Sequence, residues 1–204
     1  MPDDLARPPR GEVAGGPARA DTGVMAGPDA PDADLLGTMR AVRSVRDFRS
    51  DPVPDEVIAE ILEVARWTGS GMNRQPWTFV VVRERDTLRA IAEASPNTGH
   101  VAGAAAAIVI VMAGEKPELE TFDEARAAER ILIAATALGL ASAIGWITSR
   151  AQPAIAGLLR VPEGLRVRTL VSLGYATEAG ARPKSPPGTA RRPLAEIVRY
   201  ERFD

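Results

Sequence analysis

With 204 residues, 45% of them hydrophobic, the chain is long enough for one sizeable core and too short for two comfortable domains. Its 25 Lys and Arg against 27 Asp and Glu leave a formal charge of -2, which excludes a strong overall field for nucleic acid or an acidic membrane. The absence of cysteine and the single histidine, His100, exclude disulfides, thiolate chemistry and a Cys or His metal cluster.

The longest apolar run, Val101 to Ala113, falls short of a membrane span, and the start of the sequence lacks the basic and apolar stretches of a secretory signal. A cytoplasmic protein is expected. Residues 1–34 are rich in Pro, Gly, Ala and Asp and bury too little apolar surface to offset their ordering entropy. That predicts a disordered tail ahead of one domain over 35–204, with Met25 as an alternative start and a regulatory tail as the other reading.

Leu35 to Val45 reads as a short helix with Leu36, Met39 and Val42 on one face. It runs into Arg-Ser-Val-Arg-Asp-Phe, where Arg43 and Arg46 stand three apart. In a helical turn both side chains converge on one anion, with Ser44 adding a hydroxyl. A phosphate cradle is one reading, and a solvated basic turn is the commoner fate of such a trio.

Asp51-Pro-Val-Pro-Asp-Glu is a helix start, with Pro54 near the first turn and Asp55 and Glu56 complementing the positive end of the dipole. The helix runs to about Trp67, with Ile58, Ile61, Leu62 and Ala65 on its core face. It delivers the chain to TGSGMNRQPWTFVVV, Thr68 to Val82. Pro76 keeps its neighbour out of the helix, and Phe79 to Val82 favour a strand covered on both faces. Ser70, Asn73 and Gln75 offer one hydroxyl and two carboxamides at the strand's entrance, while Gly69 and Gly71 let backbone approach a ligand. Such a set suits a flat heteroaromatic ring edged with carbonyls and nitrogens.

A helix over Asp86 to Ala94, closed by Pro96 and Asn97, leads to a central strand within Ala104 to Met112. His100, just ahead of it, reads first as structural and second as catalytic. Leu119 to Leu140 is the longest helical segment, terminated by Gly139, with Glu129 and Arg130 as an exposed ion pair or a subunit contact. In Ser142 to Ser149 a strand-like run is broken by Gly145, a sign of a bulge or of a ligand pressed against backbone. Pro153 to Leu159 is a short helix, and Val167 to Leu173 a strand ended by Gly174. From Thr177 a Pro, Gly and Arg rich arm carries Arg191 and Arg192 ahead of an amphipathic turn at Leu194, Ile197 and Val198. The arm is expected to wrap a neighbouring subunit and bring Arg191 or Arg192 to the same anion as Arg43 and Arg46. Trp67, Trp77 and Trp146 read as core aromatics, with Trp146 the one placed to touch a ligand.

RSVRDF, PVPDEVIAEILEVA, SGMNRQPWTFVVV, a long helix ending in LGL and a closing RRPLAEIV, in that order, resemble the nitroreductase superfamily of flavin enzymes over about Leu36 to Asp204. The resemblance implies an α+β fold, a mostly antiparallel central sheet flanked by helices, in an intertwined homodimer with two FMN sites at the interface. It implies that Arg43, Ser44 and Arg46 hold the phosphate and ribityl end of FMN. Ser70, Asn73 and Gln75 then lie beside the flavin, partly from the second subunit. Ile144 and Gly145 lie against the ring, an N–H reaching N5, and Arg191 and Arg192 stand near the phosphate. The implied activity is ping-pong hydride transfer from a transiently bound NADPH or NADH through FMN to a nitro compound, quinone or related small-molecule acceptor. FMN carries the redox chemistry, and no general acid is demanded of the protein.

There is no GxGxxG fingerprint for stable NAD binding. Thr68-Gly69-Ser70 stands where many relatives have Ala-Pro-Ser, Glu129-Arg130 where many have Gln-Asn, and Ser142-Ala143-Ile144 is less polar than usual. These departures bear on substrate preference. The resemblance also admits a flavin-dependent dehydrogenase or oxidase and a flavin-fragmenting enzyme, against which Asn73 in GMNRQPW speaks. From a different class, a non-catalytic FMN-binding or storage protein fits the same residues.

Overall fold

The computed structural model describes residues 35–185 and 191–203, and the expected tail over 1–34 lies outside them. The β-branched runs form β1 (Trp77–Val82), β2 (Ala106–Met112), β3 (Ala141–Trp146) and β4 (Arg166–Gly174), ordered β1-β2-β4-β3 with every neighbouring pair antiparallel. Every residue of β2 is buried, as expected of a strand with neighbours on both sides and helices on both faces.

Alternation along β2 divides the core into two layers. Ala106, Ile108, Ile110 and Met112 meet Ile58 and Ile61 of helix α2 (Asp55–Arg66) and Ile131 and Ala135 of helix α4 (Pro117–Ala137). Ala107, Val109 and Val111 meet Leu88 and Ile91 of helix α3 (Arg85–Ala94) and Ile155 of helix α5 (Gln152–Leu158). The α+β architecture with an antiparallel sheet between helices is therefore the one expected.

Three local expectations are corrected. Helix α1 stops at Ala41, so Arg43 to Arg46 do not form a helical turn; Ser44 and Phe48 instead bridge to Ser142 and Ala176. Strand β1 is only partly covered: Phe79 and Val81 meet one core layer and Val80 and Val82 the other, but as an outer strand paired only with β2 it has Val82 alone in the buried class. Gly145 marks no bulge, because β3 runs in unbroken register with β4, and the irregularity falls in β2 between Ile110 and Val111. A Cβ at Gly145 would lie 2.8 Å from Leu170 Cδ1 and 3.2 Å from Thr98 Cγ2, so close packing across the sheet explains the glycine.

Helix α4 has an inverted first half. Glu120, Asp123 and Glu124 are buried while Leu119 and Phe122 face outward. After β4 the chain returns along residues 47–49, with Arg49 N–H donating to the Tyr175 carbonyl at 2.8 Å and Thr177 N–H to that of Asp47 at 3.1 Å. Thr177 then caps helix α6 (Glu178–Ala181), accepting from Gly180 N–H at 3.0 Å and donating to Asp47 Oδ2 at 2.6 Å. The last element, α7 (Leu194–Ile197), leaves Leu194, Ile197, Tyr200 and Phe203 exposed. Among the described residues no helix is long and apolar enough to cross a membrane.

Candidate active site

Strand β3 is an outer strand of the sheet, and its open side is met only at its two ends, by Val45 N–H donating to the Ser142 carbonyl at 2.9 Å and Ser95 Oγ to that of Trp146 at 3.4 Å. Ile147 N–H donates to the Arg168 carbonyl at 2.7 Å, which fixes the parity of the ladder. Residues 141, 143, 145 and 147 point their backbone groups at β4, and Ser142, Ile144 and Trp146 point theirs outward. The N–H groups of Ile144 and Trp146 therefore face the open edge, while that of Gly145 belongs to the ladder.

Beside this edge lies a cavity of about 520 Å³ lined by Arg46, Pro96, Asn97, Gly99, His100, Ile144 and Trp146. No carboxylate lines it, and Arg46 has no ion-pair partner among the described residues. The cavity is cationic in consequence. His100 enters from the single turn Gly99–Gly103. Burial pushes its imidazole below the usual histidine range, the Arg46 guanidinium pushes it the same way, and the Ala143 backbone opposes them in part. The neutral form is favoured in consequence, and its buried Nε2 has no hydrogen-bond partner among the described residues.

The loop that feeds β1 is held by its own polar groups. Gln75 N–H donates to Ser70 Oγ at 2.8 Å, and Gln75 Nε2 to Asn73 Oδ1 at 3.2 Å. Met72, Asn73 and Gln75 adopt φ of 52°, 53° and 51°, a left-handed conformation that of the three only Asn73 accepts readily, while Arg74 between them stays right-handed. Backbone strain of this kind persists where the surroundings dictate it. Gly69 is a close-approach position, since a Cβ there would stand 2.7 Å from Arg126 Nη2. Gln75, with Met72, Trp77, Phe122 and Asp123, lines a second cavity of about 940 Å³ against β1.

The structure thus gathers the predicted residues into separate groups. Arg46 and Ile144 share the β3-edge cavity, and Ser44 and Gly145 flank it in sequence. Arg43 faces the other way: it lines a cavity with Thr136, Ala176 and Ala181 and donates to the Ala181 carbonyl. Arg43 and Arg46 do not converge, because an extended backbone sends residues three apart to opposite sides. Ser70, Asn73 and Gln75 lie at the far edge of the sheet. Arg192 binds Glu196 at 3.2 Å within its own turn, and neither it nor Arg191 lines the β3-edge cavity. Asn97 was missed by the sequence reading; the signal was a Pro-Asn turn just ahead of a buried strand, where loops carry ligand contacts.

Behind Trp146 stands a buried charge network. Glu124 Oε2 accepts from Arg166 Nη1 at 2.9 Å and from Arg168 Nη2 at 2.6 Å, and Arg168 also takes Thr121 Oγ1 at 3.0 Å. The Arg168 guanidinium lies 4.8 Å from the Trp146 ring centroid, fixing the half-exposed indole at the cavity wall. Glu120 joins the network 3.5 Å from Arg166. Burial raises the Glu120 carboxyl, but the amides of Lys116 and Gly114 and the Arg166 guanidinium outweigh it and hold the group below the usual range.

The site is a cation, a carboxamide, an imidazole and two free strand amides around one cavity, on an antiparallel sheet sandwiched by helices. A nitroreductase-family profile matches residues 39–126. A protein of Archaeoglobus fulgidus whose name proposes NADH dehydrogenase/NAD(P)H nitroreductase activity is 36% identical over 142 residues, 65% of this chain and 80% of that one. An NADH dehydrogenase of Thermus thermophilus is 32% identical over 147 residues, covering 67% of this chain and 71% of that one. An FMN-dependent nitroreductase of Clostridium difficile superposes with a TM-score of 0.74 at 25% identity, over 82% of this chain and 99% of the other. The chain belongs to the nitroreductase family of enzymes.

Proposed function

We propose that this enzyme passes hydride from NADPH or NADH through bound FMN to a nitro compound, quinone or related acceptor, in the cytoplasm, as a homodimer. The observation that carries the reading is the β3-edge cavity. Arg46, Asn97, His100 and the N–H groups of Ile144 and Trp146 are donors or potential donors, and the orphaned His100 Nε2 is a polar atom in want of a partner. A flavin's carbonyls and ring nitrogens match that set, and a volume of about 520 Å³ is in the range of small-molecule sites.

When bound, FMN supplies the two-electron chemistry that the side chains of a cysteine-free chain do not. The protein's part is to orient and to set charge. Arg46 favours negative charge in the cavity, and the strand amides fix the ring by its edge. Ser44 continues the same segment toward the phosphate end, whereas Arg43 is turned from the cavity to the Ala181 carbonyl and would have to swing round to join it. The polar loop Ser70–Gln75 belongs to the opposite edge of the sheet, about 14 Å away at ordinary strand spacing, so a second copy is needed to bring it to the ring.

That second copy also accounts for the outward Leu119 and Phe122 and the uncovered Leu194, Ile197, Tyr200 and Phe203. The C-terminal arm of each chain would cross to the other, taking Arg191 and Arg192 to the phosphate. The test is the visible spectrum of the purified protein during anaerobic addition of NADPH and then NADH. Flavin bands that bleach, followed by recovery with a nitroarene or quinone, are expected. A protein that takes up no FMN when it is supplied defeats the reading.

A further inference from the structure

His100 is the one histidine of the chain, and it sits in the candidate site with half of its hydrogen-bonding capacity unused. The imidazole lines the β3-edge cavity together with Arg46 and Asn97. Its Nε2 is buried without a partner, while the ring is also engaged by the Ala143 backbone. A buried nitrogen left so forfeits its hydration without a protein partner in return, and a native site that retains one calls for a reason.

The charges around it are few. From the 42–48 segment comes Arg46, the cation that bears on it. Arg85, on α3, packs against the same turn but is engaged by the Ala102 and Ala104 carbonyls, at 2.5 and 2.6 Å. On the β3 side Trp146 is backed by Arg168, whose charge is met by Glu124. No carboxylate lines the cavity. Within the protein only the Ala143 backbone favours a charged imidazole, and burial and Arg46 outweigh it; a negative charge brought by the ligand would reverse the balance.

We propose that His100 is the redox-linked proton acceptor of this site: neutral beside Arg46 while the bound ring is oxidised, and protonated at Nε2 once reduction has placed a negative charge in the cavity. This rests on the flavin reading above and adds to it. Hydride transfer moves two electrons and one proton from the nicotinamide to the ring, which is left with one negative charge. His100 then takes one further proton from solvent, and gives it back when the acceptor removes the two electrons and the ring is neutral again. Its role is to balance charge beside Arg46, so that reduction does not leave the site one charge short.

The lone histidine makes the test direct, because every imidazole resonance of the chain belongs to His100. The FMN-loaded protein is titrated between about pH 5 and pH 9 by NMR with the ring oxidised, and again after anaerobic dithionite reduction; the expected result is a histidine pKa at least ten-fold in proton affinity higher in the reduced protein. In parallel, the redox potential of bound FMN is followed against pH. The wild type should take up two protons per electron pair between the two histidine pKa values, and His100→Gln one throughout. A resonance that titrates identically in both states, in protein that holds FMN, overturns the proposal and leaves the flavin site standing. Protein that binds no FMN overturns both.

Discussion

Glu124 ties the long helix to the sheet, and the consequence of neutralising it can be worked from its contacts. Its carboxylate is fully buried, and Oε2 alone accepts from two guanidiniums, at 2.9 and 2.6 Å. Glu124→Gln keeps the shape and removes the charge, leaving Arg166 and Arg168, with side chains only 16% and 19% exposed, with Glu120 at 3.5 Å as the remaining carboxylate. Stripping one partner from a buried pair costs about 3–5 kcal/mol. The residual solvent contact of the arginines and the Glu120 contact place this case near about 3 kcal/mol. In a domain of this size 1 kcal/mol corresponds to about 2–4 °C, so the thermal midpoint should fall by about 6–12 °C. Circular dichroism melts at pH 7 would read it, with Glu129→Gln on the exposed side of the same helix as the control that moves by less than about 1 °C. The difference should survive about 0.5 M salt, because a buried pair is poorly screened. A Glu124→Gln midpoint within about 2 °C of wild type would refute the reasoning, since it would mean that the two arginines find adequate solvation without the carboxylate.

Two other perturbations test the packing and the charges of the same region. Gly145→Ala places a methyl 2.8 Å from Leu170 Cδ1, an overpacking worth about 1–3 kcal/mol, so melts should show a loss of several degrees, and an unchanged midpoint would contradict the close sheet packing. Glu120, whose carboxyl is held low in the folded protein, binds protons more readily when unfolded; its contribution is present above the unfolded value near 4.5 and is lost as pH falls through the lower folded value. Urea titrations should therefore show wild type and Glu120→Gln furthest apart at neutral pH and converging toward pH 3, and a gap that stays constant with pH would exclude this assignment.

The elements that periodicity marks most strongly were legible because burial enforces the pattern. Ile58, Ile61 and Ala65 repeat at helical spacing since α2 has one face on the sheet, and the unbroken AAIVIVM run reflects a strand with a helix layer on each side. What failed did so for want of non-local information. The run Phe79 to Val82 is as β-branched as a central strand, yet its place at the sheet edge follows from pairing, which no local pattern encodes. The buried Glu120 and Glu124 contradict any amphipathic reading of α4, because their partners Arg166 and Arg168 lie more than 40 residues away. At the site, Arg46 was legible as a candidate, and it does line a cavity free of carboxylates. Its separation from Arg43 was not, because the argument from spacing assumed a helical turn where the chain is extended beside β3.

The placing of Arg46 and Asn73 on opposite edges of one sheet leads to a last prediction. If each ring site joins the β3 edge of one chain to the Ser70–Gln75 loop of another, the two residues serve one site from different chains. Arg46→Ala and Asn73→Ala homodimers should then each retain little FMN, for each carries the same lesion in both sites. In a mixed dimer, made by co-expression with two affinity tags, the lesions are redistributed. One site receives the damaged edge of the first chain and the damaged loop of the second, and the other receives the intact edge of the second chain and the intact loop of the first. Purified mixed dimer should hold about one FMN per two chains, with the spectrum and affinity of the wild-type site, as a composite site related by two-fold symmetry requires. If edge and loop served a ring within the same chain, each chain of the mixed dimer would keep its own lesion and the flavin content would stay as low as in the two parents.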